Sequence, residues 1–144
     1  MKGWRGFRRH RLDSFGLKIK SWLRKEYRKE GREGFNFTIK ELMDSLELDY
    51  DSYKIRSKIS SFIQNERQDF YEALNELYAS EEYIESKNSG MTEKEIFDKL
   101  VSAALSRDIY PLRADRFSSN EYPHDTEWRY FFFNYNNFID HSFI

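Results

Sequence analysis

The 144-residue chain has no cysteine, so neither a disulfide framework nor a thiolate metal site is available to it. Proline occurs twice, at Pro111 and Pro123, and five of the six glycines fall within the first 34 residues. Residues 35–89 therefore hold neither helix breaker, and Val101 is the chain's one valine, which favours helices over an all-β fold. Long apolar runs are missing too. The longest spans residues 130–133, against the roughly 20 apolar residues of a membrane-spanning helix, so no membrane partner is expected. No apolar segment of the kind a secretory signal needs accompanies the basic N-terminus, and the expected location is cytoplasmic. His10, His124 and His141 have no helical ligand spacing. There is no glycine-rich phosphate loop and no nucleophile elbow. A non-enzyme without catalytic residues, cofactor or metal is the expectation.

What is abundant is aromatic and charged. Aromatic residues make up 18% and hydrophobic ones 39% of the chain, enough for one compact core. The net charge of -1 hides two opposed parts. Residues 1–40 carry 13 Lys or Arg against 4 Asp or Glu, and residues 41–144 carry 11 against 21. Such asymmetry points to a cationic end that meets a polyanion. The sequence divides accordingly into a basic arm, residues 1–13, expected to be flexible, and one helix-rich domain, residues 14–144.

Within that domain Phe15, Ile19, Trp22, Leu23 and Tyr27 share one face of a helix predicted over residues 14–30, which Gly31 ends. Phe35-Asn36-Phe37 alternates like a short strand, and Thr38-Ile39-Lys40-Glu41 supplies a capping box. Ile39, Leu42, Met43 and Leu46 form the inner stripe of a second helix. A turn at Leu48-Asp49-Tyr50 follows, and Asp51 is placed to cap a third helix with Ile55, Ile59, Phe62 and Ile63 inside. Helical spacing persists through Phe70, Leu74, Leu77, Tyr78 and Ile84, either continuing that helix or forming another. A second capping box, Thr92 to Glu95, opens a further helix with Ile96, Leu100 and Ala103 or Ala104 inward. Beyond Arg107 the period is lost. Trp128, Tyr130, Phe131, Phe132, Phe133 and Tyr135 suggest an aromatic strand buried on both faces, returning through residues 138–144. The fold expected is mainly α (α+β), with a small aromatic-rich sheet or hairpin near the C-terminus.

Residues 35–65, a short strand, a capped helix, a tight turn and a second helix, resemble the helix-turn-helix family, in particular its winged-helix branch. The resemblance implies a helix-turn-helix at residues 38–65 whose second helix lies in the major groove of double-stranded DNA, with cations on the flanking phosphates. It implies a sequence-specific regulator that acts as a homodimer on two half-sites. Projected at 100° per residue, Tyr53, Ser57, Ser60, Ser61 and Gln64 lie opposite the apolar stripe, flanked by Lys54, Arg56 and Lys58. The arm adds Arg5, Arg8, Arg9 and Arg11, interleaved with Trp4 and Phe7, as candidate phosphate contacts. The family's wing is a β-hairpin directly after the second helix, but residues 66–86 are glycine-free, acidic and helically periodic. The aromatic C-terminal segment supplies the sheet instead, or the chain is a plain helix-turn-helix or an unrelated bundle. The opening Trp4-Arg5-Gly6, with Arg9-His10, Ser14, Gly16 and Lys18, is also similar to the openings of small proteins from viruses and mobile elements.

A second class of function stays open. Residues 66–98 hold ten acids and three bases, a surface suited to a basic protein partner. A protein-interaction module or phage-type inhibitor would use it in place of DNA binding.

Overall fold

The computed structural model describes residues 4, 6, 7, 12–118 and 126–135, with backbone alone at 116–118, 126 and 127. The candidate contacts Arg5, Arg8, Arg9 and Arg11, all three histidines and residues 138–144 lie outside the described residues. The described chain is mainly helical, with a small three-stranded antiparallel sheet. It gathers into two compact units. One, the mixed unit, holds residues 12–64 and 112–132. The other, the helical unit, holds residues 65–111, with Trp4, Gly6 and Phe7 ahead of them and residues 133–135 behind.

In the mixed unit, helix α1 (Ser14–Gly34) starts where the Asp13 carboxylate accepts the Gly16 amide at 2.7 Å. Ile19, Trp22 and Leu23 form its buried stripe. Gly31 leaves helical geometry with φ 75°, a left-handed conformation that suits glycine. The turns nevertheless resume to Gly34, and the Phe35 amide then bonds back to the Gly31 carbonyl. Strand β1 (Asn36–Phe37) follows, and helix α2 (Ile39–Ser45) opens with both halves of the expected capping box.

Strands β2 (Leu112–Ser118) and β3 (Thr126–Phe132) pair antiparallel, and β1 lies on the other side of β3, giving the order β1-β3-β2. Asn36 sits opposite Phe131 and Phe37 opposite Tyr130. Strand alternation therefore aims Phe37, Tyr130, Phe132 and Leu112 at one face. There Phe35 stacks on Phe132 at 4.6 Å, Phe37 stacks on Tyr130 at 5.4 Å, and Trp22 meets Phe37 edge-on at 5.2 Å. Each such pair contributes about 0.5–1.5 kcal/mol beyond its area burial. The expectation of an aromatic strand buried on both faces is corrected here. Phe132 is buried, Phe131 and Tyr130 are half-buried and Trp128 is 57% exposed, because only one face of the sheet meets the core.

Helix α3 (Tyr53–Tyr78) contributes its first half to the mixed unit and its second half to the helical unit. It continues well past residue 65, and α4 (Glu81–Asn88) and α5 (Glu93–Ser106) follow. In the helical unit Phe70, Leu74, Phe97, Leu100, Val101 and Phe133 are buried, with Phe70 edge-on to Phe97 and parallel to Phe133. Tyr78 and Ile84, expected inside, are exposed, because the helix ends at Tyr78 and Ser80 starts α4 on a new helical phase. Between α4 and α5 the Tyr83 hydroxyl donates to the Glu93 carboxylate, which Lys87 also approaches at 3.1 Å. That bond pushes the Tyr83 phenol up to about 12 and holds Glu93 below the usual carboxylate range.

Candidate nucleic-acid interface

The geometry of the candidate face is set at the turn between α2 and α3. The Leu48 amide reaches the Met43 carbonyl at 2.8 Å, the Glu47 amide reaches Asp44, and Glu47 takes a positive φ of 57°. This is a Schellman ending, usually given to glycine but here assigned to a glutamate. Asp49 then folds the chain by accepting the Asp51 amide at 3.0 Å. Asp51 was the expected cap of α3, but Ser52 occupies that position: its hydroxyl accepts the Ile55 amide at 3.3 Å, and its carbonyl accepts the Arg56 amide. The aspartate is diverted into the turn.

With that start, Ile59 and Ile63 point inward, and Ile55 and Phe62 are half-buried. Lys54, Ser57, Lys58, Ser60, Ser61 and Gln64 are exposed, and Tyr53 is 76% exposed. These are the residues the helical projection put outward. Arg56 is different, being half-buried. Its guanidinium lies over the Tyr50 ring at 5.2 Å and the Tyr53 ring at 5.9 Å, and its Nε is buried without a hydrogen-bond partner among the described residues. Ring faces thus hold this cation in place of a fixed acceptor, so its outer nitrogens can turn towards an incoming anion. Lys58 rests over the Phe15 ring at 5.7 Å.

Lys40 approaches Tyr50 from α2, 5.8 Å from its ring, and bonds to Asp44 at 2.8 Å. That hydrogen bond and the carboxylate's charge raise the Lys40 pKa. Tyr50 is therefore flanked by two cations. Helical projection could not find it, because it lies in the turn.

The sheet secures the start of α2. Arg129 on β3 donates through Nε to Asn36 of β1 at 2.9 Å, and its guanidinium pairs with Glu41, the capping-box acid. Arg113 on β2 lies over Phe131 and pairs with Asp115 at 2.8 Å. Trp128 lies on β3 opposite Arg116. Trp128 belongs to the aromatic run expected in the core, and no local signal in the sequence marks it as exposed.

Among the described residues no group of three His, Asp or Glu side chains could hold a metal ion, and no helix is long and apolar enough to cross a membrane. No protein-family model, curated protein or solved structure matches the chain.

Proposed function

We propose that the mixed unit is a helix-turn-helix module of winged-helix type that binds double-stranded DNA and regulates by occupying it. The observation that carries the reading is the order of elements in one compact unit: α1, β1, α2, the first half of α3, β2 and β3, with β1 joining the antiparallel β2–β3 pair. An antiparallel strand pair after the second helix is the counterpart of the family's wing. Here residues 65–111 intervene before it.

The chemistry of the exposed face agrees. Lys54, Ser57, Lys58, Ser61 and Gln64 offer a polar row with small side chains at its centre, which permits close approach to base edges. Arg56, backed by Tyr50 and Tyr53, is the best-placed phosphate contact, and Trp128 supplies an exposed ring on the strand pair.

The test is duplex binding as a function of salt. A steep fall in affinity with rising salt, weakened by Arg56→Ala and by Lys58→Ala, supports the reading. No binding even at low salt sinks it and leaves the protein-interaction reading as the one to pursue.

A further inference from the structure

Trp4 and Phe7, two described residues of the basic arm, have partners inside the chain. The Trp4 indole N–H donates to the Ala73 carbonyl in α3 at 3.0 Å, and the Trp4 amide donates to the Glu82 carboxylate of α4 at 2.8 Å. Phe7 is only 8% exposed and meets Trp4 edge-on at 5.7 Å. Gly6 stands between them with φ 83°, a backbone turn that suits glycine. Two aromatic anchors and one charged hydrogen bond thus seat this stretch on the helical unit.

The charges match the seating. Residues 1–11 carry Lys2, Arg5, Arg8, Arg9 and Arg11 with no acid, and residues 65–111 carry eleven acids against five bases. Glu66 is buried and so does not join the acidic surface, which Glu76, Glu81, Glu82 and Glu85 expose. From this we propose that the acidic surface of the helical unit is a docking site whose occupant is the chain's own basic arm, and that duplex DNA competes for that arm. The second half of the inference rests on the DNA-binding reading above; the first half does not.

The physical basis of the competition is charge density. Attraction between exposed charges on a protein is screened by salt within roughly 8–10 Å. A duplex presents one charge per roughly 1.7 Å of its axis and gains further by releasing condensed counterions. The contact at the exposed Glu82 carboxylate is therefore exchangeable, and a duplex that wins the arm must outweigh the anchoring of Trp4 and Phe7 as well. The acidic surface then acts as an internal competitor that lowers affinity and sharpens selection for good sites.

The experiment follows the indole resonance of Trp4 by NMR in the full chain, assigned by its loss in Trp4→Phe, during titration with a short duplex. Release of Trp4 on binding is expected. Glu82→Gln and Trp4→Ala should each tighten duplex binding by about tenfold at low salt and steepen its salt dependence, the Glu82→Gln gain vanishing when residues 2–11 are deleted. Duplex binding with the Trp4 resonance unmoved and with unchanged affinity in both variants overturns the competition, while leaving the DNA reading intact. If neither the parent nor the variants bind duplex, the DNA reading fails and competition for DNA fails with it. Inorganic polyphosphate then tests the docking itself: displacement of Trp4 supports an exchangeable arm, and an unmoved resonance overturns it.

Discussion

The two units handle charge in different ways. The mixed unit interleaves its signs, and its cations lie on ring faces: Lys20 over Phe62, Arg56 over Tyr50 and Tyr53, Lys58 over Phe15, and Arg113 over Phe131. The helical unit also lays Arg67 over Phe133 and pairs Lys87 with Glu93, but its charge is lopsided: residues 65–111 carry eleven acids against five bases and receive a stretch at Trp4 and Phe7 whose neighbouring charges are all basic. The difference teaches that a charge gradient along a sequence is not a gradient across a molecule. The two ends of the gradient, far apart in the chain, meet within one unit.

The strongest challenge to the comparison is Phe37→Ala. Removing this fully buried ring from the Trp22–Phe37–Tyr130 cluster should cost about 3–5 kcal/mol of stability, read by chemical denaturation. Loss of NMR dispersion confined to residues 12–64 and 112–132 would make the two units separate folding units. Loss throughout would merge them. Next in size is Arg56→Ala, expected to weaken binding about equally for all duplex sequences and to lower the salt slope by about 1 in a fluorescence anisotropy titration, with the fold unchanged. An equal loss from a variant on the acidic body, such as Glu76→Ala, would break the assignment of the contact to the mixed unit.

A smaller effect is expected at Glu47. Its positive φ strains a side chain, so Glu47→Gly should raise stability by about 1 kcal/mol, measured by thermal unfolding. Smallest is an alkaline effect in the helical unit. The Tyr83 phenol titrates higher in the folded chain than in the unfolded one, so its contribution is complete below pH 10 and fades as pH rises through about 12. Tyr83→Phe should flatten that decline in circular dichroism.

Much of this was legible in the sequence wherever local rules govern. The capping boxes at Thr38 and Thr92 bring their own partners three residues on, and the inner stripes of α1, α2 and α5 follow helical spacing. The failures have physical causes. Strand β2 escaped because Leu112-Arg113-Ala114-Asp115 lacks the β-branched residues that announce a strand, and its stability comes from pairing with β3. The helix ends near Glu47 and Asp108 were legible, but the left-handed conformation of these two residues was not, because neither is glycine. In the site, the outward row of α3 could be projected from residue numbers alone. Tyr50 and the bracing of Arg56 could not, since both depend on how the turn folds back on the helix.

Arg129 reaches Asn36 and Glu41 across 93 and 88 positions of chain, and this long span orders events in time. Contacts so distant in sequence are slow to form, whereas helices close their bonds locally. During synthesis residues 65–111 leave the ribosome ahead of β3, so α4 and α5 can be in place while Phe37 still waits for Tyr130. The sheet and the Phe133 edge of the helical core both wait for this last stretch, and a chain truncated before residue 126 would leave β1 unpaired and its aromatic face open to aggregation.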